Sequence, residues 1–483
     1  MTPRFVSVML VVPLVTACAI GPRYAPPRVD MPCTFHEAAA ARAADGDRVV
    51  LERWWTGFHD ATLDDLVTRA VVGNLDLKVA AARLQEARAA RGIAASAARP
   101  QVDAGAAYAR TERSAAIPPF NVPGTASVFG PRSQSIFEAG FDAGWELDFF
   151  GGVKHDVEAA VAQVQAAEEA RRDVLVTLLG DLARNYVELR GVQRQIEILD
   201  ATIASLRESR DLAEARFNAG IGTALDTERA EGLVQTTASR RPELERQVKR
   251  AIYRIGVLLG EQPATLLSLL EAPATVPSRP SDVPETLPSE LLSRRPDLRR
   301  AERQVAAATA RIGVARADLF PRFSITGSFG RRSDDVGDLA SGRSQFLSIV
   351  PGVRLPVLTG GRVRSNIRLQ EARQEATLQE YQKAVLIAVE DVENALVGRD
   401  REERRVAALQ MSVAANRRAL ELATNRYTGG VESFLSVLDA QRALYAAEDG
   451  VADAETNASV SLIALYKALG GGWTLTADES DRK

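Results

Sequence analysis

Between residues 137 and 149 the odd positions read Phe137, Ala139, Phe141, Ala143, Trp145, Leu147 and Phe149. The even ones read Glu138, Gly140, Asp142, Gly144, Glu146 and Asp148. Period-two alternation of this kind predicts a strand with one apolar and one acidic face. Weaker versions run through 102–110, 321–329 and 347–357, so four strands are expected. A barrel strand crosses hydrocarbon with about 9–11 residues, and the clearest segment is long enough.

A helical period takes over elsewhere. Leu175, Leu178, Leu182, Asn185, Leu189, Val192, Ile196, Leu199, Ile203, Leu206, Arg210, Ala213 and Phe217 step by three and four. This is a heptad seam, apolar at all but Asn185 and Arg210. Val406, Leu409, Val413, Asn416, Leu420, Ala423 and Tyr427 keep the same register further on. A helix over 153–217 would be about 100 Å long at 1.5 Å per residue, too long for the core of a compact domain. It stops at Asn218-Ala219-Gly220, and its counterpart at Thr428-Gly429-Gly430, both suited to a tight reversal. Second helices follow over about 225–259 and 434–469, giving two antiparallel hairpins with glycine tips.

The two patterns occur twice because the chain is duplicated. Leu77, Gly92 and Pro100 recur as Leu298, Gly313 and Pro321, a shift of 221 (298 − 77). Asp181, Arg216, Phe217, Gly220, Ile221 and Ala230 recur as Asp391, Arg426, Tyr427, Gly430, Val431 and Ala440, a shift of 210 (391 − 181). The first copy thus carries 11 extra residues, which fall in the Pro-, Gly- and Ser-rich stretch 114–135 between two strands. The expected fold class is mainly α with membrane β-strands, built from a duplicated strand pair plus long helical hairpin. The expected segments are 1–17 (signal), 18–58 (anchor arm), 59–270 (first repeat), 271–290 (proline-rich linker), 291–472 (second repeat) and 473–483 (polar tail). Four strands cannot close a barrel, and an open edge is not tolerated in lipid. Spanning strands must be pooled between chains.

Composition narrows the function. The net charge is −3, with acids and bases interleaved along the helices, so no nucleic-acid footprint is present. After the N-terminal segment no run is long and apolar enough for a transmembrane helix. That segment has Arg4 before an apolar run, 5–15, the form of a targeting signal. It ends in Val15-Thr16-Ala17-Cys18, which resembles a bacterial lipoprotein signal and makes Cys18 the expected lipidation site. Ala19, rather than Asp, favours sorting to the outer membrane. Cys33 is then left alone, which excludes a disulfide framework. His36, His59 and His155 lack ligand-like spacing and read as surface residues. No phosphate loop or nucleophile motif is visible. No catalytic, cofactor or metal residue is expected.

Gly21-Pro22-Arg23-Tyr24, Trp54-Trp55 with Phe58, Asp60, Leu63 and Leu66, and Arg294-Arg295-Pro296-Asp297-Leu298 carry a family resemblance. So do Phe320-Pro321, Gly360-Gly361-Arg362, 437–442 and the run from Leu465 through Gly470-Gly471-Gly472-Trp473. Together, and in this order, they resemble the outer-membrane efflux protein family, the TolC-like exit ducts. The nearer likeness is to its lipoprotein branch serving resistance-nodulation-division pumps. The resemblance implies a homotrimer whose strands form one twelve-stranded β-barrel in the outer membrane, continued by an α-helical barrel across the periplasm. It implies a periplasmic adaptor (membrane fusion) protein and an inner-membrane pump of that type as partners, besides outer-membrane lipids. The longer loop, 114–135, would face outside.

The same resemblance points to the hairpin tips as a gate. Asp439 matches an aspartate that lines the constriction, and Asp226 is its nearest equivalent in the first copy. Three carboxylates around one axis repel, favouring bound cations. Asp226 also stands in a helix first turn, where the dipole alone favours an acid. Tyr427 matches a tyrosine that helps latch the tip, and is also a heptad position. Ser436 replaces a second aspartate present in some members. Glu432 stands where those members can have a basic residue, which removes a lock built on that base. Gly220, Ile221, Gly430 and Val431 match the surface where adaptor hairpins dock. Two other readings are the exit duct of a type I protein secretion system and a periplasmic coiled-coil adaptor or structural lipoprotein. The lipoprotein signal and the Gly-Gly-Gly-Trp motif favour efflux over secretion. Tandem copies with four strands argue against the adaptor.

Overall fold

A computed structural model describes residues 20–37, 51–114, 116, 133–280 and 288–473. Cys18, the signal segment, most of 114–135, part of the linker and the tail after Trp473 lie outside the described residues. Helices longer than one turn are α1 (Ala61–Gly73), α2 (Leu75–Ser96), α3 (Gly152–Asn218), α4 (Ala224–Ala238), α5 (Arg241–Leu259), α6 (Pro296–Ala317), α7 (Arg362–Thr428) and α8 (Phe434–Ala468). The strands are β1 (Gln101–Glu112), β2 (Ser133–Leu147), β3 (Arg322–Ser333) and β4 (Gln345–Arg354). The chain forms two compact units, one drawn from 1–27, 85–165 and 303–379, the other from 28–84, 166–302 and 380–483.

The first unit holds a four-stranded antiparallel sheet in the order β1-β2-β3-β4. Register sorts the alternating residues cleanly. Phe141 stands opposite Ala104 and Phe329, and Phe329 opposite Leu347; Trp145 stands opposite Ile325, itself opposite Pro351. These fall on one apolar face, and Phe141, Phe329 and Leu347 are more than half exposed. The other face carries Asp103, Glu138, Asp142, Glu146, Ser324, Thr326 and Ser328, with Glu138 bonded twice by the Arg332 guanidinium at 2.8 and 3.0 Å. Gly140 and Gly330 pair across β2 and β3, and a Cβ on Gly140 would meet the Phe329 carbonyl oxygen at 2.6 Å. Only glycine allows that close approach. Among the described residues β1 and β4 have no outer partners.

His155, expected at the surface, is buried in this unit. Its Nδ1 lies 2.7 Å from Glu158 Oε2. Gly21 and Gly313 press against the ring, where a Cβ would sit 2.8 and 2.5 Å away. A bare imidazole is the filler that two close backbones leave room for, which residue spacing could not reveal.

The second unit contains the helical hairpins. Along α3 the seam residues Leu178, Leu182, Leu189, Leu199, Ile203, Leu206 and Ala213 are buried, whereas Phe217 at its end is exposed. The single helix expected over 225–259 is two helices, α4 and α5, separated at Ser239 and Arg240. Pro242 is the cause. It lacks an N–H and its ring clashes with the preceding turn, so it is accommodated only in a helix's first turn. In the second copy α8, without proline, runs unbroken for 35 residues.

Several of the scattered sequence motifs meet here. Trp54 stacks on Tyr466 at 5.2 Å, and Phe58, Leu63 and Leu66 are wholly buried. Asp60 caps α1 through Thr62 and Leu63 N–H groups and accepts a bond from the Tyr186 hydroxyl at 2.9 Å. Trp473 donates to the Arg294 carbonyl at 3.1 Å and is flanked by the Arg172 and Arg299 guanidinium groups. Buried Arg295 bonds both oxygens of Asp297 and reaches Asp391. These motifs assemble one packed junction.

Candidate functional site

The tips are built by helix-ending geometry. After α3, Gly220 adopts φ +75°, its N–H donates to the Phe217 carbonyl and that of Ile221 to the Arg216 carbonyl. After α7, Gly430 adopts φ +74°, its N–H donates to Tyr427 and that of Val431 to Arg426. Both are Schellman turns, in which a left-handed residue satisfies the last helical carbonyls. Glycine is required at that φ; the residue after it is free. Ile221 and Val431 occupy it, 66% and 70% exposed, with Leu225 and Leu435 exposed nearby. An apolar residue there commonly packs back on the helix, but the position it would meet is an arginine in both tips. The turn leaves these apolar side chains unused.

Behind the second tip lies a small core of Ala213, Ala230, Tyr427, Phe434, Val437 and Leu438. The Tyr427 ring is tilted against Phe434 at 5.0 Å. Arg216 crosses from the first hairpin: its Nη1 donates to the Thr428 carbonyl at 3.0 Å and its guanidinium lies 4.7 Å over the Tyr427 ring. Arg216 Nε and the Tyr427 hydroxyl are both buried without hydrogen-bond partners. Burial pushes the Tyr427 phenol above its ordinary value of 10.0, opposed by the Arg216 charge and reinforced by Asp226. One step back, the Gln441 amide donates to the Ser209 hydroxyl at 2.8 Å, a second tie between hairpins.

The expected acids separate into three situations. Asp226 Oδ2 accepts from the Thr223 hydroxyl at 2.8 Å, and its own N–H donates to that hydroxyl oxygen, so it closes the N-terminus of α4. Glu432 accepts from the Ser436 hydroxyl at 3.0 Å and stands 3.5 Å from Arg426 Nε. The Ser436 bond, the Ser433 N–H and the Arg426 charge hold its carboxyl below the ordinary 4.5. Asp439 is largely exposed and pairs with Arg442 at 3.0 Å. Among the described residues no hydrogen bond or ion pair joins Asp226, Glu432 and Asp439 to one another. Arg216, Thr428 and Arg426 are the tip residues that sequence reasoning passed over. The 210-residue shift already matched the two arginines to each other.

Comparison with known proteins closes the description. The outer membrane efflux protein family model matches residues 66–261 and 287–471. The chain is 34% identical to Outer membrane protein OprJ of Pseudomonas aeruginosa, over 98% of this chain and 96% of that protein. It is 32% identical to Nodulation protein T of Rhizobium leguminosarum bv. trifolii, over 96% of each. Among solved structures it is similar to the outer-membrane channel OprN, with a TM-score of 0.87 at 34% identity, covering 94% of this chain and all of that one.

Proposed function

This chain belongs to the outer membrane efflux protein family, and we propose that three copies of it make the exit duct of a tripartite pump, gated at the glycine-turned tips. The observation that supports this most directly is the sheet. Its apolar face is exposed and its two edges are open, on a chain that also carries two 67-residue helices. A bilayer tolerates such a sheet only when it is closed, and three sets of four strands close it. The duct is passive: compounds enter from an inner-membrane pump of the resistance-nodulation-division type, which supplies the energy, and no residue acts catalytically. Acylated Cys18 anchors the arm to the outer membrane.

The exposed pair Ile221 and Val431, presented by Gly220 and Gly430, fits an apolar contact with the hairpin of a periplasmic adaptor. The gate has two parts. Arg216 and Tyr427 fasten one hairpin to the other within a protomer, and Asp439 contributes a carboxylate to a ring around the axis. Asp226, which also closes the N-terminus of α4, is the equivalent of Asp439 in the first copy, and Glu432 holds its own turn.

The test is assembly and conductance of the purified chain. It should require detergent after removal of the acylated segment, run as a trimer and conduct in planar bilayers, with cation block weakened by Asp439→Ala. A folded, water-soluble monomer would overturn the duct, and unchanged cation block would remove Asp439 from the gate.

A further inference from the structure

The alternation of β4 outlasts its pairing. Arg354 is its last paired residue, opposite Arg322, yet Leu355 and Val357 continue the period of Leu347, Ile349 and Val353. Val357 and Leu358 are 87% and 94% exposed, the two most exposed large apolar side chains among the described residues. Val357 continues the odd-numbered apolar row beyond the strand, and Leu358 follows it where the chain turns into a helix.

The helix that follows is anomalous in its charges. Gly360 and Gly361, both at positive φ, turn the chain into α7, whose first two turns bear Arg362, Arg364 and Arg368, all exposed. Cations are disfavoured at a helix N-terminus by the macrodipole. Arg364 and Arg368 also stand one turn apart, where like charges repel. The first acid along α7, Glu371, is bonded to Arg316 at 2.8 Å. None of the three arginines has an ion-pair partner among the described residues. The array is weakly unfavourable for its own helix and is left exposed without such a partner.

We propose that residues 355–368 form a membrane-surface clamp for anionic glycerophospholipids of the periplasm-facing leaflet. Leu355, Val357 and Leu358 enter the acyl boundary, and Arg362, Arg364 and Arg368 take the phosphodiester headgroups. Continuity with the exposed apolar sheet face selects a lipid surface as the occupant, and the uncompensated positive charge selects anionic headgroups. The inference takes the outer-membrane placement as given and is independent of the gate.

The experiment uses the purified full-length chain in a neutral detergent, titrated with phosphatidylglycerol or phosphatidylcholine, with bound lipid counted by native mass spectrometry. Each arginine near an anionic surface contributes about fivefold, so R362Q/R364Q/R368Q should weaken phosphatidylglycerol binding on the order of a hundredfold. Its phosphatidylcholine binding should be unchanged. V357S/L358S should weaken both lipids. Equal wild-type binding of the two lipids overturns the clamp, as does undiminished phosphatidylglycerol binding by the triple variant. A triple variant of reduced oligomeric mass also overturns it, because the arginines then contact a second copy. The wild-type mass in the same spectra tests the trimer separately.

Discussion

The two tips share a backbone and differ in what their side chains hold. Each ends a 67-residue helix in a Schellman turn with glycine at nearly the same positive φ, and each places an arginine three residues before the helix cap. Arg216 crosses to the Thr428 carbonyl of the other hairpin, whereas Arg426 stays at home beside Glu432. The residue matching Glu432 in the first tip is Gly222, which offers no carboxylate. The matched aromatic positions diverge as well: Tyr427 is buried against Phe434, and Phe217 is 46% exposed. Helix-ending physics fixes the turn in both. The second tip has an acid beside its arginine where the first has Gly222, and it is the first tip's arginine that bridges.

The contrast is most readily broken at its aromatic pair. Tyr427→Ala empties a buried site and should cost about 3–5 kcal/mol locally, while Phe217→Ala should cost under about 1 kcal/mol. Hydrogen exchange of the two tips reads this directly; equal protection loss would mean the burial difference carries no energy. Next comes the bridge. Arg216→Ala removes a charge-assisted bond worth about 2 kcal/mol and should raise single-channel open probability on the order of tenfold. Arg426→Ala should shift it far less, and a reversed ranking would contradict the assignment of the bridge.

The smallest effect is expected from acidification. The Glu432 carboxyl lies below its ordinary 4.5, so its contribution is present above that value and is lost as pH falls through the lowered one. Wild type and Glu432→Gln should therefore differ in conductance by a small, constant amount between pH 7 and about pH 5 and converge only as pH falls through the lowered value. A Glu432-dependent step near neutrality would contradict that sign.

Much of this was legible along the chain because it depends on neighbours. Alternation located all four strands, the heptad steps located both rods, and glycine after each rod located both reversals. The break between α4 and α5 was written in Pro242, but the helical period on either side masked it. The long-range ties were another matter. His155 gave no sign of burial, since the glycines that enclose it lie 134 residues before and 158 after it (155 − 21; 313 − 155).

Sequence alone thus determined the elements, their duplication and the turns, because backbone preference and hydrophobic period act over a few residues. Only the tertiary structure decided that Arg216 bridges and that Tyr427 is enclosed. Those outcomes depend on which side chains meet across more than 200 residues of chain, at distances of a few ångströms that no local pattern specifies.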